Sequence, residues 1–508
     1  MTAVTIVDNP DLNNALKTDD FHLETAIEHR KRWLSIRLMY FTVFLMSLGF
    51  GIAITGIWPY LHKLDKDAGK EFMGYIIAAN PFGQMLFSPV IGLWANKINS
   101  TKKPFIFTLV LFIVSNAMYS SLELIDSYRR YWMLATRLLV GISAANIAIC
   151  RSYLSAATKL QERTGAVSMI SLAQVLGFIV GPGLQSLVTP LGDEGFPLIK
   201  GKLSMNMYTA AGWINVLLGI INLILFAFFK ERPIAAKEAM VLCGATSEKA
   251  AWKGLKPDYL SAWTLIVAFF VLTLNFVLLE TIGVMLTMDQ FAWTDKQAVS
   301  YLGILLSIGG VLACITMAVL KSISKWLNEV LLLLWGGFLL MVIGRAIYIP
   351  WGPDPPVIAY VSNATNSTED ILGCPDIQEW CLYTPALTLT QFLIGFLLTC
   401  IGYPLGITLI QTIFSKVLGP RPQGVWMGWM TGSGCFSRVV GPVMVSYLYT
   451  RMGTIWTFGL TTVMMVAAMI WLRIVLRRLQ KACLKNYQID GNDAPSPEME
   501  IVDTTRDS

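Results

Sequence analysis

Charge is scarce in this chain. Only 14% of its 508 residues are Asp, Glu, Lys or Arg, against 55% hydrophobic, whereas a soluble domain carries roughly a quarter charged residues. With a mean hydropathy of +0.57, the composition is that of a polytopic membrane protein. Strand-like alternation is missing and the apolar runs are too long for an outer-membrane barrel, which excludes that class. Histidine is nearly absent: His22, His29 and His62 are the whole complement, none inside an apolar run. No metal-ligand cluster, phosphate-binding loop or nucleophile–base pair stands out, so neither an enzyme, a cofactor nor ATP-driven chemistry is expected. Eight cysteines, mostly scattered through apolar runs, do not make a disulfide framework. The net charge of +6 is not a nucleic-acid footprint, because the basic residues sit beside the apolar runs.

What is present is a worn internal repeat. RLLVGISAA (Arg137 to Ala145), the polar joint TKLQERTGAV (Thr158 to Val167) and GFIVGPG (Gly177 to Gly183) form one block. Far downstream stand SKVLGPRPQGVW (Ser415 to Trp426) and SRVVGP (Ser437 to Pro442). A Ser/Thr-Lys pair, a basic joint, a Gly-Val-type entry and a Gly-Pro recur in the same order, half a chain apart. Duplication on that scale is the mark of a transporter built from two halves.

Twelve apolar spans are expected. Residues 1–35 read as a polar tail, 36–229 as a six-span half, 230–258 as a Lys-rich linker, 259–476 as a second half and 477–508 as a second tail. Lys and Arg collect on one side of the spans, among them Arg30, Lys97, Lys159, Arg163, Lys321, Lys416 and Arg477. The long loop 351–385 on the other side has none. Both tails are therefore assigned to the cytosol. That loop carries the glycosylation sequons at Asn363 and Asn366 and the pair Cys374 and Cys381, all suited to an oxidising, lumenal side. A third sequon, at Asn99, is placed on the cytosolic side and is expected to stay unmodified. No cleavable signal peptide is read at the start.

Three motifs resemble those of the major facilitator superfamily. GLWANKINSTKK matches its loop between spans 2 and 3 through Gly92 and Lys97, with Asn96 where an Asp is usual. RLLVG matches the Arg-x-x-x-Gly of span 4 through Arg137 and Gly141. GFIVGPG matches the Gly-Pro motif of span 5 through Gly177, Gly181 and Pro182, echoed by Gly441 and Pro442 in span 11. The resemblance covers nearly the whole chain. It implies an all-α polytopic fold, twelve transmembrane helices in two pseudo-symmetric six-helix halves around a midplane cavity, and alternating access. Further stretches, such as SIRLMYFTVFLMSLGF, LTMDQFAWT and LGPRPQGVWMGW, resemble an endolysosomal branch of that superfamily. This implies a lysosomal or endosomal membrane and a role in moving anions or small solutes. The N-tail shows no acidic dileucine motif, so the plasma membrane is the alternative address.

Within the spans, isolated charges are the candidates for chemistry. Glu280 in span 7 is a proton-coupling site or a structural hydrogen-bonding acid. Arg438 in span 11 is a substrate contact or a latch between halves. Arg137 is expected at the cavity, whereas Arg151 is expected to snorkel from the cytosolic end. Asp289 and Arg345 are read as interfacial. Gln174, Asn275 and Gln391 are polar candidates for the cavity wall. Gly141 and Ala145 are assigned to close helix packing. The embedded charge is biased positive, which favours a small-molecule or inorganic anion, with protons as a second partner. An anion channel in the same fold and a non-transporting receptor or scaffold are the alternatives.

Overall fold

The computed structural model describes residues 23–485, apart from 66–69, 126, 193, 200–202, 244–256, 325, 353, 360–371 and 376–377. The sequon asparagines of the long loop, Asn363 and Asn366, lie outside the described residues.

Long apolar helices dominate. Spans 1 to 6 are Ala26–Thr55, Lys70–Ile98, Lys102–Ser120, Arg129–Ser143 continued by Asn146–Ala157, Leu160–Val188 and Met207–Ala227. Spans 7 to 10 are Tyr259–Phe291, Asp295–Ile323, Glu329–Ile347 and Leu389–Leu418. The final helix, Gly424–Lys485, is interrupted at Gly453 (φ 81°). At 1.5 Å per residue, its 60-residue span-like segment, Gly424–Cys483, is about three times as long as one crossing needs. Gly453 divides it into spans 11 and 12. Trp380 packs where a Cβ on Gly453 would stand, so the turn needs glycine for both space and φ.

Span 1 starts at Ala26, inside the stretch read as tail. Thr25 caps it, exchanging hydrogen bonds with Glu28. Arg32, one turn on, is buried and donates to Glu24 (2.6 Å), to Glu162 (2.8 Å) and to the Ala157 carbonyl (2.8 Å). These partners extend the helix past the apolar run. Span 4 is tightened, not broken, at Ala144–Ala145, where Ile147 and Ala148 donate to carbonyls three residues back. Span 9 carries a π-helical segment at Leu333–Phe338.

The two halves repeat one packing scheme. In the first, span 1 packs on span 5, span 2 on span 4 and span 3 on span 6; in the second, 7 packs on 11, 8 on 10 and 9 on 12. The span 5 motif glycines serve the first contact: a Cβ on Gly177 would stand 2.6 Å from the Phe44 carbonyl oxygen, and one on Gly181 2.6 Å from Gly51 Cα. Gly441 faces the Leu274 and Val277 side chains of span 7, 3.2 Å and 3.3 Å from where its Cβ would stand, a looser contact than that of Gly177 and Gly181. Pro182 and Pro442 lie inside helices, so the Gly-Pro motifs are seams within each half. The halves meet along span 2 against span 11 and span 5 against span 8.

Outside the spans, a short hairpin, Phe196–Ile199 with Leu203–Met205, is tied down by Glu123. Its carboxylate accepts from Ser204 N and Oγ, Asn206 Nδ2 and Lys63 Nζ. Cys374 and Cys381 are joined by a disulfide, and Trp380 beside them stacks edge-on to Tyr449. The helix Ala235–Cys243 docks under the first half, with Ile234 N donating to Ala156 O and Glu238 accepting from Leu160 N.

Candidate functional site

Three charged side chains and a tyrosine, from four spans, meet between the halves. Tyr403 of span 10 stacks on Phe276 of span 7, ring centroids 3.9 Å apart. One turn beyond Phe276 on the same helix is Glu280, whose side chain is exposed, here to the space between helices. Arg438 of span 11 faces Glu280 and Tyr403. From the other half, Arg151 of span 4 reaches the same place. Its Nη1 donates to Thr431 Oγ1 of span 11 at 3.1 Å, and its guanidinium faces Tyr403 and Cys435, both of which also face Arg438. Two guanidiniums and one carboxylate leave an excess of one positive charge in a low-dielectric setting. Guanidiniums do not shed that charge, so the arrangement presents a positive potential to the space around it.

The expectations for individual residues divide. Glu280 and Arg438 are brought together. Arg137 is not with them: it is buried against the ring of Tyr119 in span 3, guanidinium carbon 4.3 Å from the ring centroid. The helix explains the split, because Arg137 precedes Arg151 by four turns. Arg151 does not snorkel outward; it turns inward to Thr431. Arg345 is not interfacial. It is fully buried, donating to the Asn275 carbonyl at 2.6 Å and lying over Tyr348. Asp289 is likewise buried, accepting from Tyr449 Oη at 2.9 Å. Two of the cavity candidates belong elsewhere. Gln391 closes a capping box with Thr388 at the start of span 10, and Asn275 is buried, donating to Val271 O of its own helix. Gln174 is half-buried on span 5.

Arg151, Thr431 and Tyr403 were missed. Arg151 looked like a helix-end cation because nothing local says which way a long side chain turns. Tyr403 lies in GYP, one of the stretches that carry the family resemblance, and nothing in that stretch names a partner on another span.

A set of hydrogen bonds joins the halves on the side of the chain termini, called here the tail side. Asn96 Oδ1 accepts from Gly424 N at 3.0 Å, and its Nδ2 donates to Pro422 O at 3.3 Å, capping the N-terminus of span 11. A Cβ on Gly92 would overlap the Gly424 carbonyl. Lys97, next along, is exposed. Arg163 Nη1 donates to Ser415 O at 3.1 Å. Lys416 Nζ bridges Glu329 (2.8 Å) and Thr164 Oγ1 (3.2 Å), and Thr164 also donates to Glu329. Arg151–Thr431 is the innermost of the set. The tail side is bonded across at these residues, as in one end state of a rocking pair of halves.

Twelve helices in two repeated halves around a charged midplane cluster define a membrane transporter. Residues 39–367 match the model of the Major Facilitator Superfamily, and the chain belongs to that family. It is 38% identical over 93% of its length, and 98% of the relative's, to the major facilitator superfamily domain-containing protein 8 of Xenopus laevis. Among solved structures it resembles the human organic anion transporter MFSD10 (TETRAN), with a TM-score of 0.60 at 16% identity over 87% of this chain and 99% of that one. It also resembles the proton:xylose symporter XylE, with a TM-score of 0.64 at 11% identity over 88% and 96%. These last two likenesses concern the fold.

Proposed function

We propose that the protein moves a small anionic solute across an endolysosomal membrane by alternating access, with Glu280 as the proton-coupling group. The observation that carries this reading is the cluster itself: Arg438 and Arg151 approach from opposite halves, and one carboxylate faces Arg438. Alternating access needs a site whose two walls belong to different halves, and this one has them. An anion between the arginines gains charge-assisted hydrogen bonds from both. Glu280 faces Arg438, so a change of charge at the carboxyl would alter how strongly Arg438 attracts the solute. Arg137, clasped on Tyr119, is assigned to the packing of the first half.

The relatives support the finer points. The resemblance to an endolysosomal branch supports the address, and the structure titled as an organic anion transporter supports the sign of the solute. The basic tail side is assigned to the cytosol, which makes the state seen here open to the lumen.

Transport of chloride and of small carboxylates by the full-length protein in proteoliposomes, with and without a pH gradient, tests the reading. Glu280→Gln should fold, keep exchange and lose its pH dependence, because the amide is isosteric and cannot titrate. Arg438→Gln should raise the half-saturating anion concentration at least about tenfold, since one charge-assisted contact in a dry site is worth roughly 1.5–3 kcal/mol. If Glu280→Gln retains the whole pH response and Arg438→Gln retains wild-type affinity, at equal protein, the proposal is wrong.

A further inference from the structure

Arg151 differs from every other group that joins the halves. Asn96, Arg163, Thr164, Lys416 and Glu329 make their bonds at the tail-side helix ends, away from the midplane. Arg151 makes one bond across the gap, to Thr431 Oγ1 at 3.1 Å, while its guanidinium faces Tyr403 and Cys435. Thr431 and Cys435 are buried and one helical turn apart on span 11, and Arg438 follows within the next turn. The residue is thus part of the midplane cluster and part of the seam.

We infer that Arg151 has two roles: it is the first half's cation in the anion site, and through Thr431 it ties span 4 to span 11 and holds the tail side shut. The second role goes beyond the proposed function; the first rests on that reading. A guanidinium donating to one hydroxyl keeps further N–H groups free for an anion, because it presents five donors in a planar fork. The tie is a single bond from a charged donor to a neutral acceptor. Such a bond is strong enough to bias two conformations that differ by a few kcal/mol, and weak enough to be broken in each cycle.

Cys435 reports on both roles. In full-length protein, Cys150, Cys243, Cys314, Cys400 and Cys483 are replaced by Ala, leaving Cys435 and the disulfide. Its rate of reaction with a membrane-impermeant methanethiosulfonate is measured from the tail side in proteoliposomes, in gluconate. Thr431→Val is expected to raise that rate at least about fivefold, the population shift of about 1 kcal/mol. Thr431→Ser, which keeps the hydroxyl, is expected to return it to the wild-type value. A merely structural threonine would not separate the two variants in this way. Equal rates for Thr431→Val and wild type, or a Thr431→Ser variant as reactive as Thr431→Val, overturn the tie.

The anion role is tested in the same vesicles. Chloride or acetate in place of gluconate should slow the reaction in the Thr431→Val background, and should not do so when Arg151→Gln is added. If Thr431→Val accelerates the reaction but neither anion protects, the tie stands and the anionic reading of the site falls.

Discussion

Gly428 offers the sharpest test of the seam between halves. A Cβ built on it would stand 2.6 Å from Pro89 Cα, 2.6 Å from the Ser88 carbonyl oxygen and 2.8 Å from Pro89 N. Carbon atoms in contact sit about 3.5–4.0 Å apart, so Gly428→Ala asks spans 2 and 11 to separate by about 1 Å. All three atoms are backbone, and no side chain can swing away to absorb the overlap. Overpacking of this kind costs about 1–3 kcal/mol. Because the contact joins the two halves, the cost falls on the tail-shut state alone. Each half keeps its own packing. The equilibrium should therefore move toward the tail-open state by between about fivefold and about a hundredfold, with little loss of folded protein. Gly459→Ala is the control: nothing lies within 4 Å of its Cβ, and replacing a helical glycine should help slightly. Spin labels at Lys97→Cys and Trp326→Cys, exposed positions on the tail-side ends of opposite halves, read the separation by pulsed dipolar spectroscopy. A distance distribution in Gly428→Ala that matches Gly459→Ala would refute the reasoning.

Other substitutions should act within one half. Gly141→Ala would put a Cβ 2.9 Å from Asn80 Cα, inside the first half, so folded yield should fall by several-fold while the tail-side distance of surviving protein stays unchanged, as read by size-exclusion recovery. Removing the disulfide with Cys374→Ser and Cys381→Ser should cost about 2–3 kcal/mol at most, as expected for closing so short a loop, and should expose Trp380 to a soluble fluorescence quencher. At Glu123 burial works against the charge, but hydrogen bonds from Ser204, Lys63 and Asn206 outweigh it and hold the carboxyl below its usual range. Its contribution is therefore present above the ordinary glutamate pKa and is lost as pH falls through the lower, folded value. Thermal unfolding of Glu123→Gln should be less pH-dependent than wild type below about pH 5, and identical profiles would remove Glu123 from that role. Lys416→Met should leave Glu329 without its cation and weaken the tail-side seam, detectable as a longer distance between the same two spin labels.

Much of this protein is determined along the chain. Runs of about 20 apolar residues fix the spans, because a chain without strand-like alternation can satisfy its backbone hydrogen bonds in lipid only as helices. The repeated motifs carry the two-half architecture, since in each half a motif glycine faces the first span of that half, Gly181 against backbone of span 1 and Gly441 against side chains of span 7. Asn96 was visible only as a departure from the motif's usual Asp; that it caps span 11 of the other half is a contact between residues 328 positions apart. The start of span 1 was not legible either. Its first two turns are polar and are held by Arg32, whose partner Glu162 is far away in sequence.

The charged residues show where local reading stops. Glu280, Arg137, Arg151, Arg345 and Arg438 are all visible as charges in apolar runs, and the cost of burying them marks each as needing a partner. Which partner it finds depends on helix rotation and on the crossing of distant spans, and that is a property of packing. Arg137 found a tyrosine ring, Arg345 a backbone carbonyl, and Arg151 a threonine 280 residues downstream. Sequence alone determined that the chain crosses a membrane twelve times in two related halves and carries a surplus of buried positive charge. Only the tertiary structure decided which of those charges face one another across the gap, because helix periodicity fixes a residue's angle on its own helix and says nothing of what stands opposite.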